Sequence, residues 1–245
     1  MTFPEPHPAV IIGIGAGYRR RIGSAEWDGG STVVGTATRW RGARRGQTRK
    51  RDAALEYAAL GWPVCQAAHP TPDGARACSC DRVGCPDPGA HPLSPAWQMQ
   101  ASVDADVVGS WWARTPEANV VLPTGRVFDV FDVPSAAGLL ALARMDRAAV
   151  AGGPVAALAD RYLFFVATRG APDDEDEYWS CHLDCFPEAI DDSPGLRWHC
   201  RDSYVLAPPS TVPYTQTSAW IRPPTPNPLP DPLRVLDVLA DVTDA

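Results

Sequence analysis

The chain has 245 residues, a formal net charge of −7 and 45% hydrophobic residues, with nine tryptophans available for a core. That balance excludes a disordered chain and sets the scale at one sizeable domain with extensions. No apolar run approaches the ~18 residues that span a bilayer, and Val10–Ile14 is too short for a signal-peptide core, so a cytoplasmic protein without membrane contact is expected.

Charge is unevenly spread. Residues 1–51 hold ten Arg/Lys against three acids, while residues 52–245 hold twelve against twenty-six. An acidic body is a poor general surface for nucleic acid, because phosphate contacts need clustered cations. Residues 1–50 mix Pro, Gly, Arg and Thr without a period and read as a basic, disordered arm, with phosphate contact as the alternative. The glycines of Val10–Gly17 invite a dinucleotide-loop reading, but no amphipathic helix or suitably spaced acid follows.

The first clear element is a helix from Arg51 to Gly61, carried by Ala53, Leu55, Tyr57, Ala58 and Leu60, with Trp62-Pro63-Val64 as a short strand behind it. Residues 66–96 form a Pro/Gly/Cys-rich insert that needs something to hold it. Ser102 is the expected N-cap of a second helix whose apolar side is Val107, Val108, Trp111 and Trp112. Asn119–Leu122 and Val127–Val133 read as strands around a Pro123-Thr124-Gly125 turn. A helix over Ala136–Ala149, a strand over Arg161–Thr168 and a strand over Tyr204–Ala207 follow. After a proline-rich link, Leu233, Val235, Leu236 and Leu239 line a terminal helix over Pro232–Val242. Mixed strands and helices point to an α/β or α+β fold.

The strongest local signal is Cys78, Cys80, Cys85 and His91, with Gly84 before the third cysteine and Pro86, Pro88 and Gly89 before the histidine. Three thiolates and one imidazole satisfy the tetrahedron that zinc prefers, and a closed set of four protein donors makes a structural site. His69 is the alternative fourth ligand; buried thiols beside a surface histidine would be the bland outcome. A second group, Cys181, His182 and Cys185 with His199-Cys200, sits among Trp179, Phe186 and Trp198, where cysteine packs as a small hydrophobe.

Taken in order, these segments resemble the prim-pol domain of the archaeo-eukaryotic primase superfamily, in its versions with a cysteine-rich insert. The stretches that carry the likeness are Ala59-Leu60-Gly61-Trp62-Pro63-Val64, the knuckle ending in Pro88-Gly89-Ala90-His91-Pro92, and Trp111-Trp112 with Pro116 and Ala118-Asn119. Thr124-Gly125, Val130-Phe131-Asp132-Val133, Arg161-Tyr162-Leu163-Phe164-Phe165 and Tyr204-Val205-Leu206-Ala207-Pro208-Pro209-Ser210 complete the set. The resemblance implies a prim-pol-like body over residues 51–222, a mixed sheet flanked by helices with the zinc knuckle as an insert, followed by a link and helix over 223–245. It also implies a DNA primase/polymerase type of activity, with DNA and nucleotides as partners and a replication or mobile-element protein as a further one.

In that family two divalent ions, Mg²⁺ or Mn²⁺, drive nucleotidyl transfer. They are held by an Asp-x-Asp pair and a later Asp, and a His contacts the incoming phosphates. By resemblance Asp132 is the first Asp. Its partner two residues on is Pro134, the His position holds Tyr162, and the later Asp falls near His199, with Asp202 as a substitute if the register slips. Asp129 is close in sequence but three residues from Asp132, which puts it on the other face of a strand. Thr124, Gly125, Arg161, Tyr162, His199, Arg201 and Ser210 are the candidate nucleotide-pocket residues. One expected carboxylate out of three implies an incomplete metal site, so a non-catalytic nucleic-acid or protein interaction module stands as the alternative to an enzyme.

Overall fold

The computed structural model describes residues 49–71, 77–80, 82–168, 195–213 and 218–243. The basic arm and the Cys181-His182-Cys185 group lie outside the described residues. Among the described residues no helix is long and apolar enough to cross a membrane.

Helix α1 (residues 49–59) buries Ala54, Tyr57 and Ala58, the spacing of one helical face, and Gly61 at φ +78° ends it. The strand expected at Trp62–Val64 lies slightly later, as β1 (Cys65–Ala67); Val64 makes only an isolated bridge to Ser102. Pro63 has no N–H to give a ladder, which delays pairing. A short helix α2 (Trp97–Gln100) precedes α3 (Ala105–Arg114). The N-cap of α3 is Asp104, not Ser102: its carboxylate accepts from the Asp106 and Val107 amides at 2.9 and 3.1 Å. Ser102 instead accepts from the Asp104 amide one step upstream, at 3.0 Å.

Strands β2 (Asn119–Pro123) and β3 (Phe128–Pro134), helix α4 (Ser135–Ala148) and strands β4 (Val155–Leu158), β5 (Arg161–Ala167), β6 (Arg197–His199), β7 (Tyr204–Ala207) and β8 (Ala219–Arg222) follow, before α5 (Pro232–Thr243). They form a three-stranded sheet, β1-β2-β7, and a five-stranded sheet, β6-β3-β5-β4-β8, with antiparallel pairing throughout. β4, β6 and β8 escaped the sequence reading; each is only three or four residues long.

Alternation along β3 and β5 creates two cores. Phe128 and Val130, with Leu163 and Phe165, face α1, α3, Trp62 and the small sheet. Phe131 and Val133, with Phe164 and Val166, face α4 and α5. Helix α5 therefore closes the second core with Val235, Leu239 and Val242 and is part of the folded body. Leu233, expected on its apolar side, is exposed.

Phe165 is the hinge of the first core, with ring centroids 5.4 Å from Trp62 and 5.2 Å from both Phe128 and Trp220. Phe165→Ala should cost about 3–5 kcal/mol, by lost transfer energy and an incompletely collapsed cavity. Urea unfolding should show that loss as a lowered midpoint, while Leu140→Ala, at an exposed site on α4, leaves the midpoint nearly unmoved.

Candidate functional site

The insert folds back onto β1. The Ala68 amide donates to His91 O at 2.9 Å, Leu93 N to Gln66 O at 3.1 Å and Ser79 N to His69 O at 3.0 Å. Gly89, at φ +80°, stands where a Cβ would meet Pro70 Cδ at 2.9 Å, so the return loop is packed tight against the opening one. Asn119 ties this loop to the body: its amide donates to Gly89 O at 2.8 Å and Thr211 O at 2.6 Å, while its oxygen accepts from Lys50 Nζ at 2.7 Å. Lys50 is the one lysine of the chain, and burial lowers it to about 8.

This packing gathers Cys78, Cys80, Cys85 and His91, whose ligand atoms all lie within 4.8 Å of one another. Cys78 Sγ and Cys85 Sγ each stand 3.4 Å from His91 Nε2. Donors of a tetrahedral zinc ion, with bonds of about 2.3 Å to sulfur and 2.0–2.1 Å to nitrogen, are spaced by about 3.5 Å. The surrounding shell also suits a metal. His91 Nδ1 lies 2.9 Å from Pro92 O, the contact that leaves Nε2 free to ligate, and the Gly89 amide donates to Cys78 Sγ at 3.3 Å. A backbone hydrogen bond from Arg82 lowers Cys80 to about 7, whereas burial raises Cys85 to about 11. Adjacent thiolates repel, and a bound cation removes that conflict. His69 is not in the group; burial, then Lys50, lowers its pKa and favours the neutral ring. The four-residue cluster can hold a metal ion such as zinc.

Asp132 lies beyond the knuckle, on the first-core face of β3, with only 7% of its side chain exposed. The register sets its neighbours. Asp132 is opposite Leu163 of β5 and Arg197 of β6, so Arg161 and His199, two residues along, share its face. Arg161 Nε donates to Asp132 Oδ1 at 2.6 Å, and its Nη2 donates to Asp132 O at 2.9 Å and Gly195 O at 2.7 Å. Arg197 Nη1 stands 3.8 Å and His199 Nε2 3.5 Å from Oδ2. Pro134 shares this face but brings no donor atom. Among the described residues, the knuckle is the only place where three or more Cys, His, Asp or Glu donors converge within reach of one ion.

Two adjoining cavities, of about 340 and 440 Å³, open at Asp132 and share Asp87, Ala90, Leu158 and Leu163. The first also reaches His199 and Ser203, and the second reaches Arg161 and Arg197. The knuckle loop, the five-stranded sheet and the Ser203–Leu206 stretch at β7 thus all contribute walls to the cleft.

Other candidates divide. Thr124, Gly125 and Arg201 meet around a separate polar cavity of about 280 Å³. There Thr124 donates to Cys200 O, and a Cβ on Gly125 would meet Arg201 Cα at 2.2 Å. Tyr162 is not in either cleft: it pairs with Val133 on the opposite face and packs against Gly138 of α4. Ser210 is fully buried and both donates to Val120 O and accepts from Val120 N, so it clamps β2 and lines none of these three cavities. Asp202 is no substitute carboxylate; it sits in a turn at φ +64° and accepts from Gln98 at 3.2 Å. Asp129 lies on the second-core face, as its spacing from Asp132 requires, and is 2% exposed. Cys200 is buried in the second core.

Sequence reasoning missed Arg197. Its alternation with His199 is the signal that would have found it, but three residues of period two are too few to announce a strand.

A domain of two antiparallel sheets, joined by helices around a cleft that carries a strand-borne aspartate, is the frame defined by these residues. The family model for the bifunctional DNA primase/polymerase N-terminal domain matches residues 54–232, and the chain belongs to that family. No curated protein matches the chain. Membership brings nucleic acid and nucleotides as the expected ligands.

Metal analysis of fresh, reduced protein should find about one equivalent, lost in the Cys80→Ser and Cys85→Ser variants. Acidification should release it, because metal binding requires the thiolates and protons compete for them; full metal retention in both variants would rule out the cluster as the site.

Proposed function

We propose that this prim-pol domain binds its ligands without performing nucleotidyl transfer, and that its knuckle is a structural zinc site. The observation that carries this is the pairing of Asp132 with Arg161 at 2.6 Å, with Arg197 at 3.8 Å as a second cation.

Two-metal transfer needs several carboxylates, because ions about 3.5–4 Å apart repel unless negative charge is shared between them. The residues here do not fit such a pair. A divalent ion about 4 Å from a guanidinium is repelled by roughly 8 kcal/mol at an effective dielectric of 20, and one carboxylate at that range offsets only one such cation. Arg161 is also pinned by two backbone carbonyls, so moving its guanidinium aside to make room for a metal would break three hydrogen bonds at once. Pro134 and His199 occupy the positions where the family's pattern carries further aspartates.

Zinc fits the knuckle for the opposite reason. Three sulfurs and one imidazole nitrogen match its preferred donors, and four protein ligands leave no open position for water or substrate. The ion would hold Asp87 and Ala90 in the cleft wall.

Primer-extension and de novo synthesis assays with Mg²⁺ or Mn²⁺ should give no incorporation above a no-protein control, and Asp132→Ala should behave identically while retaining its circular-dichroism spectrum. Metal-dependent incorporation by the parent protein that disappears in Asp132→Ala would overturn the proposal.

A further inference from the structure

We propose that Ser203, His199 and Asp132 form a nucleophile–base–acid relay, and that this relay hydrolyses esters of short, apolar carboxylic acids. The inference goes beyond the reading above and shares one premise with it, that Asp132 serves protein partners and not metal ions.

The three side chains stand in series. Ser203 Oγ lies 3.2 Å from His199 Nδ1, and His199 Nε2 lies 3.5 Å from Asp132 Oδ2. Arg161 holds the other carboxylate oxygen, Oδ1, at 2.6 Å, which leaves Oδ2 to the imidazole. A carboxylate beside Nε2 favours the proton there and makes Nδ1 the acceptor for the serine hydroxyl, the tautomer that a general base needs. The 3.5 Å step is long for a hydrogen bond, as such contacts often are before substrate tightens them. Backbone geometry presents the serine. His199 ends β6, Tyr204 begins β7, and in the turn between them Asp202 adopts φ +64°, a left-handed conformation uncommon outside glycine. Ser203 follows it directly and lines the cavity, half-buried, so the strained residue abuts the nucleophile.

The cavity of about 340 Å³ joins Ser203, His199 and Asp132 to Ala90, Leu158, Leu163, Val205 and Leu206. An apolar wall of that extent takes a short acyl chain. Ser203 Oγ attacks the ester carbonyl carbon while its proton passes to His199 Nδ1. The bond from that carbon to the alcohol oxygen then breaks, and His199 returns the proton to the departing alkoxide. Water, deprotonated by the same nitrogen, attacks the acyl carbon; Ser203 Oγ leaves and takes the proton back. Ester and water become carboxylic acid and alcohol, with no oxidant or metal required. Asp132 is a positioning residue here, orienting the imidazole and stabilising its protonated form. Arg197, two residues from His199 on the same face of β6 and 46% exposed, supplies a cation for the oxygen that turns negative.

The test uses the full chain without nucleotide or added magnesium or manganese. The probes are p-nitrophenyl acetate, p-nitrophenyl butyrate, p-nitrophenyl phosphate and a fluorophosphonate reagent that marks activated serines. Both carboxylic esters should be cleaved above the buffer rate, the phosphate ester should not, and peptide mass spectrometry should find the fluorophosphonate on Ser203. Ser203→Ala should abolish labelling and return hydrolysis to the buffer rate. His199→Gln should lower both by about a hundredfold or more, the loss of a general base. Asp132→Asn should lower kcat at nearly unchanged KM, whereas a merely structural loss would reduce the fraction of folded protein seen by circular dichroism. No cleavage, cleavage that persists in Ser203→Ala, label on another residue, or cleavage of the phosphate ester in place of the carboxylic esters would overturn the inference. The two readings fail separately: absent hydrolysis and labelling sink this one alone, and metal-dependent nucleotide incorporation sinks the earlier one whatever the esters do.

Discussion

The ion pair between Asp132 and Arg161 governs what the rest of the cleft can do. It joins neighbouring strands of the five-stranded sheet where the side chains are largely shielded from water, and the same guanidinium reaches the carbonyls of Asp132 and Gly195. A buried pair adds little net stability, since desolvation offsets much of the attraction, but removing one partner strands the other at high cost. The pair thus acts as a constraint. With Arg161 held there, one oxygen of the carboxylate is already engaged by a guanidinium hydrogen bond.

Register is what delivers this arrangement. Antiparallel pairing of β3 with β5 and β6 places Asp132 opposite Leu163 and Arg197, and the two-residue period of a strand puts Arg161 and His199 on the same face. A slip of β3 by one residue would send Asp132 into the second core, and a slip of β5 would bring Tyr162 to the cleft. The two cores prevent that slip: Phe128 and Phe165 belong against Trp62, and Phe131 and Phe164 belong under α4 and α5.

The knuckle works at a different level. Its four donors organise a loop that has little apolar content of its own, and Asn119 binds that loop to Lys50 and the Thr211 segment. The same loop carries Asp87 and Ala90 into the cleft, so a metal bound by the cluster would also fix part of the cleft wall. A segment rich in proline and glycine can hold a functional wall only when a cross-link replaces the missing hydrophobic core.

Much of this could be read from the residues alone. Strong hydrophobic periodicity announced α3, α4, α5, β2, β3, β5 and β7 within a residue or two, and donor chemistry named the four residues that the fold gathers as a Cys/His cluster. The proline two residues after Asp132 was equally visible. Tertiary structure alone decided which side chains face Asp132. β6 is three residues long, below the length at which periodicity speaks, so Arg197 stayed hidden. Tyr162 and Ser210 were misplaced because facing direction and burial depend on pairing with distant segments. Composition and local spacing carry information over a few residues; the charge around a carboxylate depends on strands more than sixty positions apart, such as Asp132 and Arg197, and only folding brings these together.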